Sequence, residues 1–374
     1  MTELLPGYTA KVDALDKATW EEIIDHFDDA NIYQTWSYEA VRSGEENLSH
    51  FRLEKDGKLV AAAQVRLAKV PFFHKRVAYL RWGPMWHPRG TVGDIEVFQQ
   101  ALRALRTEYV VKRRKLLRLL PLVFEDQDET FGRIFKEEGY GHPLLNVTQR
   151  TLLIDVQAPV EELRKGLHEK WRYNLKTAEK NGLRIEEGTD DAIFQAFLDT
   201  YKQTHERKKF LETSDVTQYC KIQHGLAQRH RMRIFVAFHE DQPAAGVICS
   251  CLGKMGVFLY GGTSTAALNL RASYLLQWRA LNWIKEEGAV CYNLGGINKA
   301  RNPGTHQFKS GLCGKNGTER CSVGSYDAYA NPLYGTLFQL ADSARVSMRD
   351  GRIKLRAYLR KRKQEKGTPK PQPA

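Results

Sequence analysis

The sequence predicts an α/β protein with mixed sheets, arranged as two domains and a C-terminal helical extension. Three observations predict it. The chain has 374 residues, roughly two to three times a typical single domain. Its 42% hydrophobic and 10% aromatic content can fill real cores, which excludes a disordered or collagen-like chain. Runs that alternate every two residues are interleaved with runs at helical spacing, in a hairpin–strand–helix–strand order that occurs twice.

In the first half, residues 51–70 hold two alternating runs around Asp56-Gly57, a hairpin signal. Residues 76–86 read as another strand, ending at Gly83-Pro84. Ile95, Phe98, Leu102, Leu105 and Tyr109 recur at helical spacing between Asp94 and Lys115. A buried strand over 116–124 and a short helix over 131–140, closed by Gly139, complete this half. In the second half, a strand over 150–156 leads into a helix over 160–182 with a Gly182 stop. A strand over 183–188, a long helix over 190–209 and three strands within 231–264 follow. An amphipathic helix over 272–288 precedes a buried strand over 289–297. The expected division is a first domain over 1–149 and a second over 150–321. A helix over 322–362 is expected to pack on the first domain, and 363–374 to be a disordered basic tail.

Charge is unevenly spread. The net charge is +13, of which residues 349–374 supply +8 and the rest of the chain +5. Such a tail either aids solubility or attracts phosphates, those of nucleic acid or of an anionic membrane surface. A second basic cluster, Lys112 to Lys115 with Arg118, ends a predicted helix, where the helix dipole alone favours cations. No run reaches the length of a membrane-spanning helix, and the N-terminus lacks a basic start followed by an apolar stretch. A cytoplasmic protein is the expectation. The six cysteines read as reduced thiols, and Cys249 with Cys251 as small buried strand residues. The histidines form no ligand spacing with them, so no metal is expected.

Three stretches look unlike ordinary core or surface. In Trp36-Ser37-Tyr38 with Arg42, Tyr38 and Arg42 project to one side of a helix, suited either to a sugar and phosphate or to plain packing. Lys170, Arg172, Lys176 and Lys180 lie within three turns opposite Trp171, Leu175 and Ala178, either a solvated face or a grip on a diphosphate. The strand over 292–297 opens into Gly295-Gly296 and is followed by Phe308-Lys309-Ser310-Gly311, read as a loop lysine able to stabilise negative charge in acyl transfer.

Together, in this order and separation, these stretches resemble the FemABX family of peptidoglycan-bridge aminoacyltransferases, over most of residues 30–335. The resemblance implies two fused GNAT-like domains. It also implies transfer of an amino acid from aminoacyl-tRNA to the stem peptide of a peptidoglycan precursor, lipid-linked or nucleotide-linked. By the same resemblance, Arg172 and Arg42 would bind the precursor's phosphates, with Lys170 beside them. Trp36, Tyr38 and Tyr260 would line the sugar groove, and Lys309 would stabilise the oxyanion with Phe308 packed beside it. No cofactor is implied beyond the aminoacyl-tRNA co-substrate. Residues 265–273 lack the glycine-rich turn that cradles coenzyme A phosphates. An acyl-CoA N-acyltransferase acting on an amino sugar or polysaccharide intermediate is the first alternative, and a non-enzymatic nucleic-acid-binding protein the second. The basic tail could hold the protein at the inner face of the cell membrane. Glu206 is a possible general base, with surface pairing to Arg207 or Lys209 as its other reading.

Overall fold

The computed structural model describes residues 3–69, 77–208 and 215–366. The first half runs β1 (Tyr8–Val12), α1 (Lys17–Asp25), α2 (Trp36–Ser43), β2 (Leu48–Lys55), β3 (Lys58–Ala68), β4 (Val77–Arg81), α3 (Ile95–Leu105), β5 (Leu116–Leu120) and α4 (Asp128–Glu137). The second runs β6 (Arg150–Asp155), α5 (Val160–Gly166), α6 (Glu169–Lys180), β7 (Arg184–Gly188), α7 (Asp191–Lys208) and α8 (Thr217–Gly225). It continues through β8 (Arg233–His239), β9 (Gln242–Cys251), β10 (Met255–Thr263), α9 (Ala272–Glu286), β11 (Cys291–Ile297), α10 (Pro303–Cys313) and β12 (Gly317–Cys321). The chain then returns to the first half as β13 (Tyr326–Ala328) and α11 (Pro332–Lys366).

The two sheets share one design. The first has the order β1-β2-β3-β4-β5-β13 and the second β12-β6-β11-β10-β9-β8-β7. Each contains one parallel pair, β4 with β5 and β10 with β11. A parallel pair needs a crossover, and α3 and α9 supply them. The β2–β3 hairpin closes at Asp56 and Gly57, both at positive φ (50° and 77°), as a two-residue turn matched to strand twist requires.

Burial follows the strand and helix periods. Phe51, Leu53, Ala61, Ala63 and Val65 meet Phe98 and Leu102 of α3 in the first core. Trp171 and Leu175 of α6, with Leu276 and Leu281 of α9, close over Phe235, Val247 and Tyr292 in the second. A third core is common to both halves: Ile32, Tyr33 and Tyr38 pack with Phe194, Phe197, Tyr219 and Ile234. The halves are therefore joined by apolar burial as well as by the backbone.

Several expectations are corrected. The helix from Asp94 is α3 followed by a π-helical stretch over Arg106–Lys112. The region expected to be helical from 322 holds β13 instead, a strand that exists because Leu117 to Leu119 offer it an antiparallel partner. The helix continues to Lys366, past the 362 expected for its end, and the tail beyond 366 lies outside the described residues.

β13 also carries a buried ion pair. Arg118 on β5 donates through Nε and Nη2 to the two oxygens of Asp327, each at 2.7 Å, and through Nη1 to Asp342 of α11 at 2.5 Å. The Asp327 side chain is wholly buried. Asp327→Ala should lower unfolding stability by about 3 kcal/mol, because a buried guanidinium is left underpaired. Urea denaturation checks this, and an unchanged midpoint refutes it.

Candidate active site

Beyond Val257 and Asn293 the parallel pair β10–β11 ends, while β10 stays paired with β9 and β11 with β6. A register shift between Asn293 and Gly296 turns β11 away, with Gly295 at φ 71°. A cavity of about 540 Å³ opens beside this fork. Phe258, Gly261 and Gly262 line one wall, Leu294, Phe308 and Lys309 another, and Thr204 with Arg207 of α7 a third. The N-terminal residues of α9, with Arg271 before them, form its remaining edge. Arg271 holds φ 58° and no side chain caps α9, so this edge carries both a guanidinium and the positive end of a helix dipole.

Lys309 sits on α10, not in a loop as the sequence reading has it. Its side chain is buried. Nζ donates to the Gly296 carbonyl at 3.1 Å and lies 5.1 Å from the centroid of the Phe258 ring. Among the described residues no carboxylate forms an ion pair with it. Burial alone pushes its pKa down to about 8, because a charged ammonium loses hydration there. Phe308 packs on Tyr274 and Trp171, with ring centroids 4.9 and 6.0 Å away. The arrangement can place a cation, able to give up a proton near neutral pH, against a group that gains negative charge.

A second feature lies where the halves meet. In β4, strand alternation sends Ala78 and Leu80 into the first core and leaves Tyr79 and Arg81 on the opposite face. The Arg81 guanidinium stands 3.7 Å from the Tyr33 ring centroid, and its Nη1 donates to the Tyr38 hydroxyl at 3.3 Å. Its Nε is buried without a hydrogen-bond partner. Arg42 lies over the Tyr38 ring at 5.3 Å, and Arg66 over Tyr79 at 4.9 Å. Glu39, 3.4 Å from Arg66, is the one acid paired with these three arginines among the described residues. The cluster is therefore cationic and aromatic, and its half-buried Arg81 has no ion-paired acid among the described residues. Tyr219 of α8 meets Tyr38 (6.0 Å) and Tyr260 (4.9 Å), and Tyr260 is next to Gly261 of the cavity wall.

The structure thus gathers Tyr38, Arg42 and Tyr260, and separately Phe308 with Lys309. Trp36 goes elsewhere: residues two apart on a helix differ by about 200°, and Trp36 stacks on His50 at 4.3 Å with its indole N–H donating to Glu45. Lys170 and Arg172 are exposed on α6, which packs on α9 and α10. Arg172 Nη1 donates to the carbonyls of Lys165 and Leu167 and so finishes α5. Glu206 is exposed, and Arg207 turns from it to donate to Thr263 O at 3.1 Å and Thr265 Oγ1 at 3.2 Å. The Cys249 thiol is buried beside the Tyr292 hydroxyl, and burial pushes its pKa up to about 12. One spacing escaped the sequence reading: Cys220 and His224, a turn apart on α8, meet Asp191 with all three ligand atoms within 4.8 Å. His224 Nε2 lies 2.5 Å from Asp191 Oδ1, so this is a surface His–Asp pair beside a thiol.

Arg66, Arg81, Arg207 and Arg271 were not anticipated. The alternation of 77–81 could have flagged Arg81, since it puts a cation on the same face as Tyr79. No curated protein matches the chain. The FemAB family profile matches residues 15–223, more than half of it. The chain belongs to the FemAB family. An acetyltransferase (GNAT) domain profile matches residues 165–310 of this FemAB protein, which contain the fork and Lys309. The crystal structure of FemX superposes with a TM-score of 0.73 at 16% identity, covering 88% of this chain and 100% of that one. A conserved protein of unknown function from Bacteroides thetaiotaomicron gives 0.54 at 10% identity, covering 86% and 100%. At these identities the likeness is one of fold. Membership makes this FemAB protein an acyltransferase of the peptidoglycan-bridge class, built on GNAT-like α/β domains. Among the described residues no helix is long and apolar enough to cross a membrane.

Proposed function

We propose that the protein transfers an amino acid from aminoacyl-tRNA to an amine on the stem peptide of a peptidoglycan precursor, lipid-linked or nucleotide-linked. The observation that carries this reading is Lys309, a buried ammonium without a carboxylate partner at one wall of the cavity. In the proposed step the acceptor nitrogen attacks the ester carbonyl, a C–N bond forms and the C–O bond to the ribose breaks. The acceptor amine loses a proton and the leaving ribose oxygen gains one. Lys309 would hold the oxyanion and supply that proton, a role suited by its lowered pKa of about 8. Arg207, Arg271 and the α9 N-terminus support a phosphate-bearing donor at the cavity edge.

For the acceptor's diphosphate, Arg42 and Arg81 are better disposed than Arg172. Arg172 spends Nη1 on two backbone carbonyls and stands exposed on α6, whereas Arg81 lies among the aromatic rings at the junction with its Nε unpaired. Arg172→Ala is therefore expected to lower thermal stability by a few degrees and to leave the acceptor KM within about twofold. A tenfold rise in that KM would return Arg172 to the diphosphate site.

The test is a transfer assay with charged tRNA and a nucleotide-linked or lipid-linked muropeptide. Product should appear with charged tRNA and not with deacylated tRNA plus free amino acid. Saturable binding of acyl-CoA by calorimetry, with transfer from it, would instead establish the acyl-CoA N-acyltransferase alternative.

A further inference from the structure

α11 has two sides of opposite character. On one, Phe338 is buried against Val77 and Leu116, Gln339 is buried, and Asp342 pairs with Arg118. That side is seated on the first sheet. On the other, Leu333, Leu337, Leu340 and Met348 are 69, 53, 54 and 60% exposed, and Ala344 between them is exposed as well. Steps of four, three, four and four residues keep these five within about 80° of one another round the helix, opposite Asp342. They form an apolar row about four turns long that nothing in the chain's described residues covers. Where the row ends the chain turns basic: residues 349–374 hold ten lysines and arginines against Asp350 and Glu365.

We propose that this face of α11, with the basic segment that follows, docks on an anionic lipid surface. The two parts are matched to the two layers of such a surface. The apolar row gains by entering the boundary between headgroups and acyl chains, and the cations gain by lying in the negative surface potential. Other occupants meet only one part. A nucleic acid backbone satisfies the charge and leaves the leucines in water. A second copy laid in parallel along the row covers the leucines and brings two segments of +8 together. The inference does not depend on the donor. It deepens the proposed reading at one point, by setting the protein beside a lipid-linked acceptor.

The experiment uses the full chain with sedimenting vesicles of phosphatidylcholine and phosphatidylglycerol at roughly three to one, and with vesicles of phosphatidylcholine alone. The wild-type protein should sediment with the anionic vesicles, release at high salt and ignore the neutral ones. The double variant Leu337→Glu, Leu340→Glu should bind the anionic vesicles at least about tenfold more weakly. Both positions are exposed, so its melting temperature and circular dichroism should match wild type, and so should transfer to a soluble nucleotide-linked acceptor. Equal vesicle binding by the double variant overturns the proposal. So does a wild-type dimer that the variant converts to monomer without any vesicle binding, or tRNA binding that the variant loses while vesicles are ignored. Vesicle binding with no transfer to any acceptor would overturn the enzymatic reading and leave the surface in place.

Discussion

Lys309→Met is expected to lower kcat by about 10²–10³ while raising the melting temperature, a combination that few alternative roles of the residue produce. The loss of rate follows if its ammonium holds the developing oxyanion and protonates the leaving oxygen. The gain in stability follows from burial. Folding drops the pKa of Lys309 from its ordinary 10.5 to about 8. Between those values the unfolded chain binds the extra proton, so stability rises with pH through this window. Below about pH 8 the full cost is present, roughly 3 kcal/mol. Methionine fills similar volume without the charge and removes that cost. Activity should have the opposite dependence on the alkaline side: kcat falls as pH rises through about 8 and the ammonium is lost. With Lys309→Arg any residual activity should lose that limb, because a guanidinium stays charged. A Lys309→Met variant that is both fully active and less stable would mean the lysine is only a packing element.

The second large effect is expected at the junction of the halves. Arg81→Met should raise the KM for a diphosphate-bearing acceptor about 10- to 100-fold with kcat little changed, the loss of one or two charge-assisted hydrogen bonds. An acceptor stripped of its diphosphate should respond equally weakly in both proteins, which separates a phosphate contact from a general loosening of the cleft. Arg42→Ala should act in the same direction by a smaller factor, since Arg42 is exposed and its contact more screened. If Arg81→Met leaves that KM unchanged, the half-buried guanidinium serves only to bind Tyr33 and Tyr38 across the interface.

What the sequence disclosed divides along a physical line. Patterns that depend on neighbours in the chain were legible: the Asp56-Gly57 hairpin, the apolar face of α6 and the strand entering Gly295-Gly296 all form where spacing placed them. β13 was hidden because three residues carry no period, and only the edge of β5 makes them a strand. Arg172 and Arg81 were misweighted for a related reason. A cation's worth depends on what neutralises it, and the partners lie far off or nearby for reasons invisible in spacing. Arg172 stands in a motif and is occupied by carbonyls of the preceding helix. Arg81 stands in an ordinary strand, and no acid meets it among the described residues. Lys309 was found by motif, and its burial on a helix came only with the fold.

The return of the chain to β5 has a consequence for biosynthesis. On the ribosome the leading half emerges with the apolar edge Leu116–Leu120 missing its outer neighbour, and Tyr326–Ala328 leaves the exit tunnel about two hundred residues later. Translation of that interval takes roughly 10–40 s, long enough for the trailing sheet to assemble while the leading one stays ajar. Nascent chains arrested before Tyr326 should therefore engage chaperones at that edge, and those arrested beyond the exit of Asp342 should not.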